Sequence, residues 1–206
     1  MHENPLLGMT ADFPALQKRI HAGNHRWWHD EAGNRLDRNK GELISLIHSE
    51  IAEGTLGIED GLMDDHLPKR PMVEVEMADA SIRILDYAEG FSYDIYGAAL
   101  QVSYAVSIGW TDLIRPVDAV ETVNHARIHV AIKDVTEGER KNAFHEVITD
   151  RKAAEVGLAV AMILIRNYCD FFSYDLIGAI EEKLAYNAQR ADHTYAARNQ
   201  ANGKKW

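Results

Sequence analysis

Glu50-Ile-Ala-Glu53 and Glu76-Met-Ala-Asp79 are two carboxylate pairs with the same spacing, and the segment Asp60 to Pro71 that separates them is rich in turn-forming residues. A spacing of three residues places both side chains of a pair on one face of a helix. The separating segment is long enough to reverse the chain, so two neighbouring helices could bring four carboxylates together. Four negative groups in one place need a metal ion or strong cationic partners. The sequence therefore predicts a divalent-metal site.

The apolar residues that precede and follow the first acidic pair recur at helical spacing. They form the stripe of one predicted helix: Leu43, Leu46, Ile47, Ile51 and Ile58. Glu50 and Glu53 continue this stripe and do not lie opposite it. A carboxylate on the core side of a helix is unfavourable unless it binds a cation or takes part in a reaction. This position therefore favours a functional role over an ordinary solvated face.

The second acidic pair lies on another predicted helix, which runs from about Met72 to Glu89. Its core stripe consists of Val75, Ala78, Ile82 and Leu85. Glu76, Asp79 and Arg83 lie one position further round, at the shoulder of the stripe. Arg83 is interpreted as an ion-pair partner that orients the carboxylates. The two helices are expected to form a hairpin with acidic groups facing each other.

The rest of the chain also has helical patterning. A first helix is predicted from about Ala11 through His29 or Asp30, and later breaks are expected near Gly90, Gly109, Pro116 and Glu137-Gly138. No sustained alternation of apolar and polar residues indicates a strand. The predicted fold class is all-α, a helical bundle.

Composition limits the classes of function. The chain has 206 residues and a formal net charge of −10, which argues against a nucleic-acid-binding surface. The single cysteine, Cys169, excludes an intrachain disulfide and fits a reducing compartment. No signal peptide is recognisable, and the longest apolar stretch, Val156 to Ile165, is far shorter than a bilayer span. A cytoplasmic protein without membrane association is expected.

Part of the sequence recurs. Phe91-Ser-Tyr-Asp-Ile-Tyr-Gly-Ala98 returns as Phe172-Ser-Tyr-Asp-Leu-Ile-Gly-Ala179, an offset of 172 − 91 = 81 residues. Further upstream an offset of 84 aligns Glu53-Gly54 with Glu137-Gly138. The pattern indicates a tandem duplication within one compact domain: a first repeat over 11–98, a degenerate second repeat over 99–180 and a closing segment over 181–206. In this alignment Glu76 and Asp79 match Gly157 and Val160, so only the first repeat is expected to keep the metal site.

Three parts of the sequence together carry a resemblance to a known family: the two acidic pairs, the segment Asp64-Asp-His-Leu-Pro between them, and the closing stretch Glu182-Lys-Leu-Ala-Tyr-Asn-Ala-Gln-Arg-Ala-Asp-His193 with Gly203-Lys-Lys-Trp206. In these parts the chain resembles the MazG-like all-α nucleoside triphosphate pyrophosphohydrolases. The resemblance covers most of 15–98 and 180–206. Residues 99–179 depart from it, because in short members the closing helix soon follows the second acidic pair. The resemblance implies that Glu50, Glu53, Glu76 and Asp79 hold Mg²⁺, for which Mn²⁺ could substitute.

The implied reaction is hydrolysis of a (deoxy)nucleoside triphosphate to the monophosphate and pyrophosphate, with the same four carboxylates as catalytic residues. Hard oxygen ligands suit Mg²⁺, which neutralises charge on phosphates. One carboxylate would act as general base toward the attacking water, and the sequence leaves open which one.

Substrate-binding candidates lie outside the acidic pairs. Lys183, Tyr186, Asn187 and Arg190 are spaced to share one helical face and could bind phosphate, although a salt-bridged surface helix has the same spacing. Trp27 and Trp28 are the candidates for stacking on a base. Against this, aromatic residues at helical spacing usually belong to the core, so one ring could be core and the other could contact ligand.

Two other classes of function remain open: a non-catalytic helical assembly protein with a vestigial acidic site, and a carboxylate-bridged redox metalloprotein. No histidine follows a glutamate by three residues, which argues against the redox class and against a histidine-ligated metal. His25, His29 and His48 are interpreted as structural, and His193 as a possible phosphate contact. The expected partner besides the nucleotide is a second copy of the chain in a homodimer.

Overall fold

The chain is predominantly helical in the computed structural model, which describes residues 4–6, 9, 12–198 and 200–202 and contains no β-strand within them. The predicted all-α class is confirmed. The elements are α1 (Phe13–Gly23), α2 (His25–Trp28), α3 (Lys40–Asp60), α4 (Met72–Gly90), α5 (Ile95–Ser107), α6 (Glu121–Lys141), α7 (Ala153–Phe172), α8 (Leu176–Ala188), a 3₁₀ turn (Ala191–His193) and α9 (Tyr195–Arg198).

Two helical hairpins form the centre of the fold. Helix α3 packs on α4, and α6 packs on α7; contacts between α3 and α6 and between α4 and α7 join the two hairpins. The short helix that follows each hairpin packs on the other hairpin, an arrangement called crosswise here. Helix α5 follows α4 but lies on α7, and α8 follows α7 but lies on α4. The apolar faces of these helices meet in one core. As a result, a side chain from the end of the chain can reach the predicted acidic site on α4.

Each central hairpin contains a glycine where its two helices pack closely. A Cβ on Gly57 of α3 would stand 2.9 Å from the Met72 Cβ atom, and one on Gly138 of α6 would stand 2.5 Å from the Ala154 backbone nitrogen. The predicted break at Glu137-Gly138 is wrong, since α6 continues to Lys141. Here glycine permits close helix packing and does not end the helix.

Helices of equal or similar length recur 81 residues apart. Helices α3 and α6 both have 21 residues and both of their ends differ by 81; α5 and α8 have 13 residues with the same offset. The offset of 84 used for the upstream alignment is therefore wrong for α3 and α6. A shift of three residues is close to one helical turn, so it preserves the polar and apolar pattern and both alignments look acceptable in sequence.

Two arginines fix the crosswise packing of the short helices. Arg70, which precedes α4, donates to Asp175 at the start of α8 at 3.2 Å and to Glu182 within α8 at 2.8 Å. Arg151, which precedes α7, donates to Asp94 at the start of α5 at 2.9 Å and to the Gln101 side chain at 2.9 Å. All four contacts join residues at least 50 positions apart in sequence, so they hold distant parts of the chain together.

The single N-terminal helix predicted from about Ala11 to His29 is divided in two, at Gly23 and Asn24. The start of α1 is capped by Asp12, whose side chain accepts from the Ala15 backbone nitrogen at 3.0 Å. The break redirects the chain so that Trp28 enters the core with 1% of its surface exposed. Ala11 itself lies outside the described residues.

Replacing Gly90 by alanine is expected to destabilise the fold by about 1–3 kcal/mol, because a Cβ there would stand 2.3 Å from Cη2 of the buried Trp28 ring. The ring is held by edge-on contacts with His21 and Phe91 and has little freedom to move. Thermal unfolding measures the change. Gly23→Ala in α1 is the matched control, since no atom lies within 4 Å of its Cβ position. Equal melting temperatures for the two variants would contradict this packing.

No single helix in the described part of the chain is both long and apolar enough to cross a membrane; α7 and α8 meet that criterion only together, with a bend of 111° between them. Cys169 on α7 is buried with 1% of its surface exposed, as the apolar surroundings predict, and burial raises the pKa of its thiol.

Candidate metal centre and adjoining cleft

Three carboxylates from the first hairpin converge. One oxygen each of Glu50 on α3 and of Glu76 and Asp79 on α4 lie within 4.8 Å of one another. Glu50 and Glu76 are buried, with 6% and 5% of their surfaces exposed. Gly54 on α3 faces this part of α4, because a Cβ there would lie 3.1 Å from the Met77 Cε atom and in ordinary contact, at 3.4 Å, with the Glu76 Cβ atom. The hairpin thus brings together three of the four residues predicted as metal ligands.

Cations balance two of these carboxylates. The Arg83 Nε atom donates to Oε1 of Glu50, so Arg83 is the ion-pair partner that the sequence predicted. The Lys183 Nζ atom lies 2.8 Å from Oδ2 of Asp79, and this lysine is buried. Glu76 differs from both: its Oε2 atom is buried and has no hydrogen-bond partner among the described residues. A buried oxygen without a partner is unfavourable unless a ligand or an ion completes its surroundings.

The acidic cluster changes proton affinities in the direction expected for crowded, buried carboxylates. Burial, with a hydrogen bond to Glu50 and the charge of Asp79, raises the pKa of Glu76 to about 9. Burial raises the pKa of Asp79 to about 6, against the opposing effect of Lys183. Without an added cation, Glu76 therefore holds a proton at neutral pH. The three carboxyl groups are hard oxygen donors that suit a divalent cation, and binding of such a cation would displace the proton from Glu76.

Glu53, the fourth predicted ligand, lies one turn after Glu50 and is exposed. It is outside the group of three converging carboxylates. The expectation that both acidic side chains of this helix face inward therefore holds for Glu50 alone. Partial burial and the charge of Glu50 raise the pKa of Glu53, which places this carboxylate within electrostatic reach of the cluster.

A cleft of about 130 Å³ adjoins the cluster through Asp79. Five of the six residues predicted to bind substrate line it: Trp27, Trp28, Lys183, Asn187 and Arg190. The sixth, Tyr186, is not in the lining; its ring packs on His66 with a centroid distance of 4.7 Å. The cleft thus combines cationic and aromatic side chains beside an acidic centre.

The closing segment reaches the cleft because α8 packs on α4. The predicted single helical face from Lys183 to Arg190 is interrupted, since α8 ends at Ala188. Arg190 follows the helix end, still lines the cleft and pairs with Asp192 at 2.7 Å. His193 also lines it, with its ring edge-on to Trp27 at 5.3 Å. The closing residues Gly203 to Trp206 lie outside the described part of the chain.

The two adjacent tryptophans have different surroundings. Trp28 is buried and forms the floor of the cleft, with the Arg35 guanidinium over its ring at 5.2 Å. Trp27 is half-buried at the cleft. Of the two indoles, Trp27 is the one with surface left for contact with a ligand.

Sequence reasoning did not include three polar residues that also line the cleft: Asn24, Arg38 and Asp86. A signal existed for Asp86, which lies seven residues after Asp79 and therefore on the same face of α4. No local pattern indicates Asn24 or Arg38, because they come from the loops before and after α2.

The histidines that were interpreted as structural lie apart from the acidic cluster. His48 on α3 pairs with His129 on α6, with their Nδ1 atoms 2.6 Å apart, and His25 stacks on His29 at 4.0 Å. Within the described residues, the converging group contains carboxylates alone. These positions agree with an oxygen-ligated cation and not with a histidine-ligated one.

Compared with known proteins, the chain matches no family model, no curated protein and no solved structure.

Proposed function

We propose that the chain is a Mg²⁺-dependent nucleoside triphosphate pyrophosphohydrolase of the MazG-like type, which hydrolyses a (deoxy)nucleoside triphosphate to the monophosphate and pyrophosphate. One observation carries the proposal: the converging carboxylates of Glu50, Glu76 and Asp79, the first two of them buried, adjoin a cleft that contains lysine, arginine and tryptophan side chains. An acidic centre alone suits many metal proteins. An acidic centre beside cations and an aromatic ring suits a metal-bound polyphosphate joined to a base.

The residues present fit a divalent cation. The three carboxylates supply hard oxygen donors, and the buried Glu76 Oε2 atom has an unused acceptor position. We propose Glu50, Glu76 and Asp79 as ligands, with Glu53 as a fourth from the rim. When bound, Mg²⁺ would neutralise charge on the phosphates and favour attack at phosphorus.

The other side chains have separate roles in this proposal. Arg83 and Lys183 orient Glu50 and Asp79 through their ion pairs. Arg190 faces the cleft and would bind phosphate oxygens, which guanidinium groups do well. Glu53 is exposed beside the cluster and is the best candidate to accept a proton from the attacking water.

Incubation of the purified chain with each common nucleoside triphosphate and Mg²⁺, followed by separation of the products, tests the proposal. We expect monophosphate and pyrophosphate in equal amounts from at least one nucleotide, and no product when the metal is removed with a chelator. Glu53→Gln should lower the rate at least a hundredfold. Release of single phosphate, or no release from any nucleotide, would contradict the proposal.

Replacing Lys183 by methionine is expected to lower the hydrolysis rate about a hundredfold and to destabilise the protein by about 3 kcal/mol, because Asp79 would lose a partner in a buried pair. Initial rates and thermal unfolding measure the two effects. Lys133→Met, which alters an exposed ion pair on α6, is the matched control and should change neither. A Lys183→Met variant with the wild-type rate would refute this role for the lysine.

We further propose that the chain contains a tandem duplication in which α3, α4 and α5 correspond to α6, α7 and α8, so that the boundaries predicted at 98 and 180 move to the ends of α5 and α8. The helix lengths and arginine contacts that recur 81 residues apart support it. At that offset the four acidic positions correspond to Ala131, Asp134, Gly157 and Val160. The second repeat would then pack against the first without a metal site of its own.

The second candidate function is a non-catalytic helical assembly protein with a vestigial acidic site. It is favoured by the second repeat, which keeps an acidic residue at only one of the four corresponding positions. The product assay separates the two functions, because an assembly protein releases nothing from any nucleotide. The homodimer stays a prediction, which light scattering on the purified chain would test.

A further inference from the structure

The cleft extends along α4 beyond the acidic centre to a second carboxylate, Asp86. This residue lies two helical turns after Asp79, a rise of about 10 Å along the same helix face. Asp86 lines the cleft, and 14% of its side chain is exposed. A negative group therefore lies at the end of the cleft away from the acidic centre, where phosphates would not be bound.

One oxygen of Asp86 is fixed by two donors. The Trp28 Nε1 atom donates to Oδ1 at 2.9 Å, and the His21 Nδ1 atom lies 2.7 Å from the same oxygen. The other oxygen, Oδ2, accepts from no residue that the structure describes. Since a carboxylate has about four acceptor positions, Asp86 is held in a fixed orientation with acceptor capacity left for a ligand.

A donor lies close to this acceptor. The Arg38 guanidinium lines the same cleft, and one of its nitrogens donates to the Trp27 carbonyl. Burial lowers the pKa of Arg38, and the nearby charges of Asp86 and Glu42 oppose that effect. Arginine has five N–H donors, so the single bond to Trp27 leaves others for a ligand. The far end of the cleft thus offers an acceptor and a donor beside aromatic rings.

We propose that Asp86 and Arg38 form a base-recognition subsite that selects guanine. Guanine presents two neighbouring donors, the N1–H and the 2-amino group, for Asp86 Oδ2, and its O6 atom is an acceptor for Arg38. Uracil and thymine place carbonyl oxygens on both sides of one N–H, and these repel a carboxylate. Adenine and cytosine each offer a single amino group. The inference rests on the proposed function, because it requires a nucleotide with its phosphates at the acidic centre.

If Asp86 only held Trp28 and His21 in place, the effect of replacing it would differ from the effect expected for base recognition. Asparagine in place of Asp86 keeps an oxygen for those two contacts and replaces the second oxygen with an amide donor. A structural role would leave the relative rates for different bases unchanged. A recognition role would change them, because the amide donor would face the donors of guanine.

The experiment compares kcat/KM for GTP, ITP and UTP with Mg²⁺, using wild type, Asp86→Asn and the matched control Asp112→Asn. Inosine lacks only the 2-amino group of guanine, and the Asp112 side chain is 92% exposed. We expect wild type and the control to prefer GTP over ITP and UTP by about tenfold or more. Asp86→Asn should lower the GTP-to-UTP ratio by about tenfold.

Two results would overturn the subsite alone: hydrolysis by wild type with no preference for guanine, or an equal loss for all three nucleotides in Asp86→Asn. Hydrolysis of none of the nucleotides by wild type would instead overturn the proposed function and the subsite together.

Discussion

Replacing Glu76 by glutamine is expected to remove hydrolysis and, at the same time, to stabilise the metal-free protein. Glu76 is buried among other carboxylates, and its pKa is raised to about 9. In the unfolded chain the same group ionises near 4.5. At neutral pH the folded protein must therefore keep a proton that the unfolded chain releases, at a cost of about 1.4 kcal/mol for each pH unit above 4.5. Glutamine is neutral in both states and avoids this cost.

The loss of activity should be about a thousandfold, because the variant lacks one charged ligand of the proposed cation and such ligands contribute several kcal/mol. The melting temperature of the metal-free variant at pH 7 should rise by several degrees, since about 1 kcal/mol corresponds to about 2–4 °C in a chain of this size. Initial rates and calorimetry measure the two effects.

Glu59→Gln is the matched control, an exposed glutamate on α3 that should change neither quantity. If Glu76→Gln retained the wild-type rate, the carboxylate would have no place in catalysis. If the variant were less stable than wild type without metal, the account of Glu76 as an unfavourably buried acid would be wrong.

The stability of the metal-free protein is expected to fall as pH rises from about 6.5 to about 9, because below 6.5 the lowered pKa of the buried His125 acts in the opposite direction. Glu76 has a folded-state pKa above its unfolded value. Its contribution to the free energy of unfolding is therefore fully present below pH 4.5 and is lost as pH rises toward the folded value of about 9. Asp79, with a pKa raised to about 6 from an ordinary value of 3.8, adds a smaller loss of the same sign at lower pH. Both groups therefore favour unfolding at alkaline pH.

Saturating Mg²⁺ should remove most of this slope, because a bound cation stabilises the ionised carboxylates and binds the folded state alone. At a hundred times the dissociation constant, the gain is about 2.7 kcal/mol. Denaturant unfolding from pH 5 to pH 9, with and without Mg²⁺, measures both curves. Parallel curves, or a metal-free protein that becomes more stable toward pH 9, would count against a cation site at these residues.

Local patterns predicted the first hairpin well. The helical stripe around Glu50 and the stripe around Asp79 predicted α3 and α4 nearly to their ends. The position of Arg83 at the shoulder of its stripe predicted an ion pair with the acidic groups, and the partner in the structure is Glu50. These features depend on helical periodicity within a short segment, which is the part of structure that sequence encodes most directly.

Features that depend on contacts between distant segments could not be predicted in the same way. Glu50 and Glu53 occupy similar positions in the pattern, yet only Glu50 is buried, because the path of the neighbouring helices decides where the interface ends. Lys183 reaches Asp79 only because α8 crosses onto α4. The sequence predicts a break at Gly138 because it does not reveal that α7 packs directly on this residue.

Titration of the metal-free protein with Mn²⁺, followed by electron paramagnetic resonance, tests the central claim most directly. Free Mn²⁺ gives a strong signal that decreases on binding, so the number of sites and their affinity are both measured. We predict saturable binding to wild type and to Glu59→Gln, competition by Mg²⁺ and at least tenfold weaker binding to Glu76→Gln. Absence of saturable binding, or equal affinity in Glu76→Gln and wild type, would contradict a metal centre at Glu50, Glu76 and Asp79.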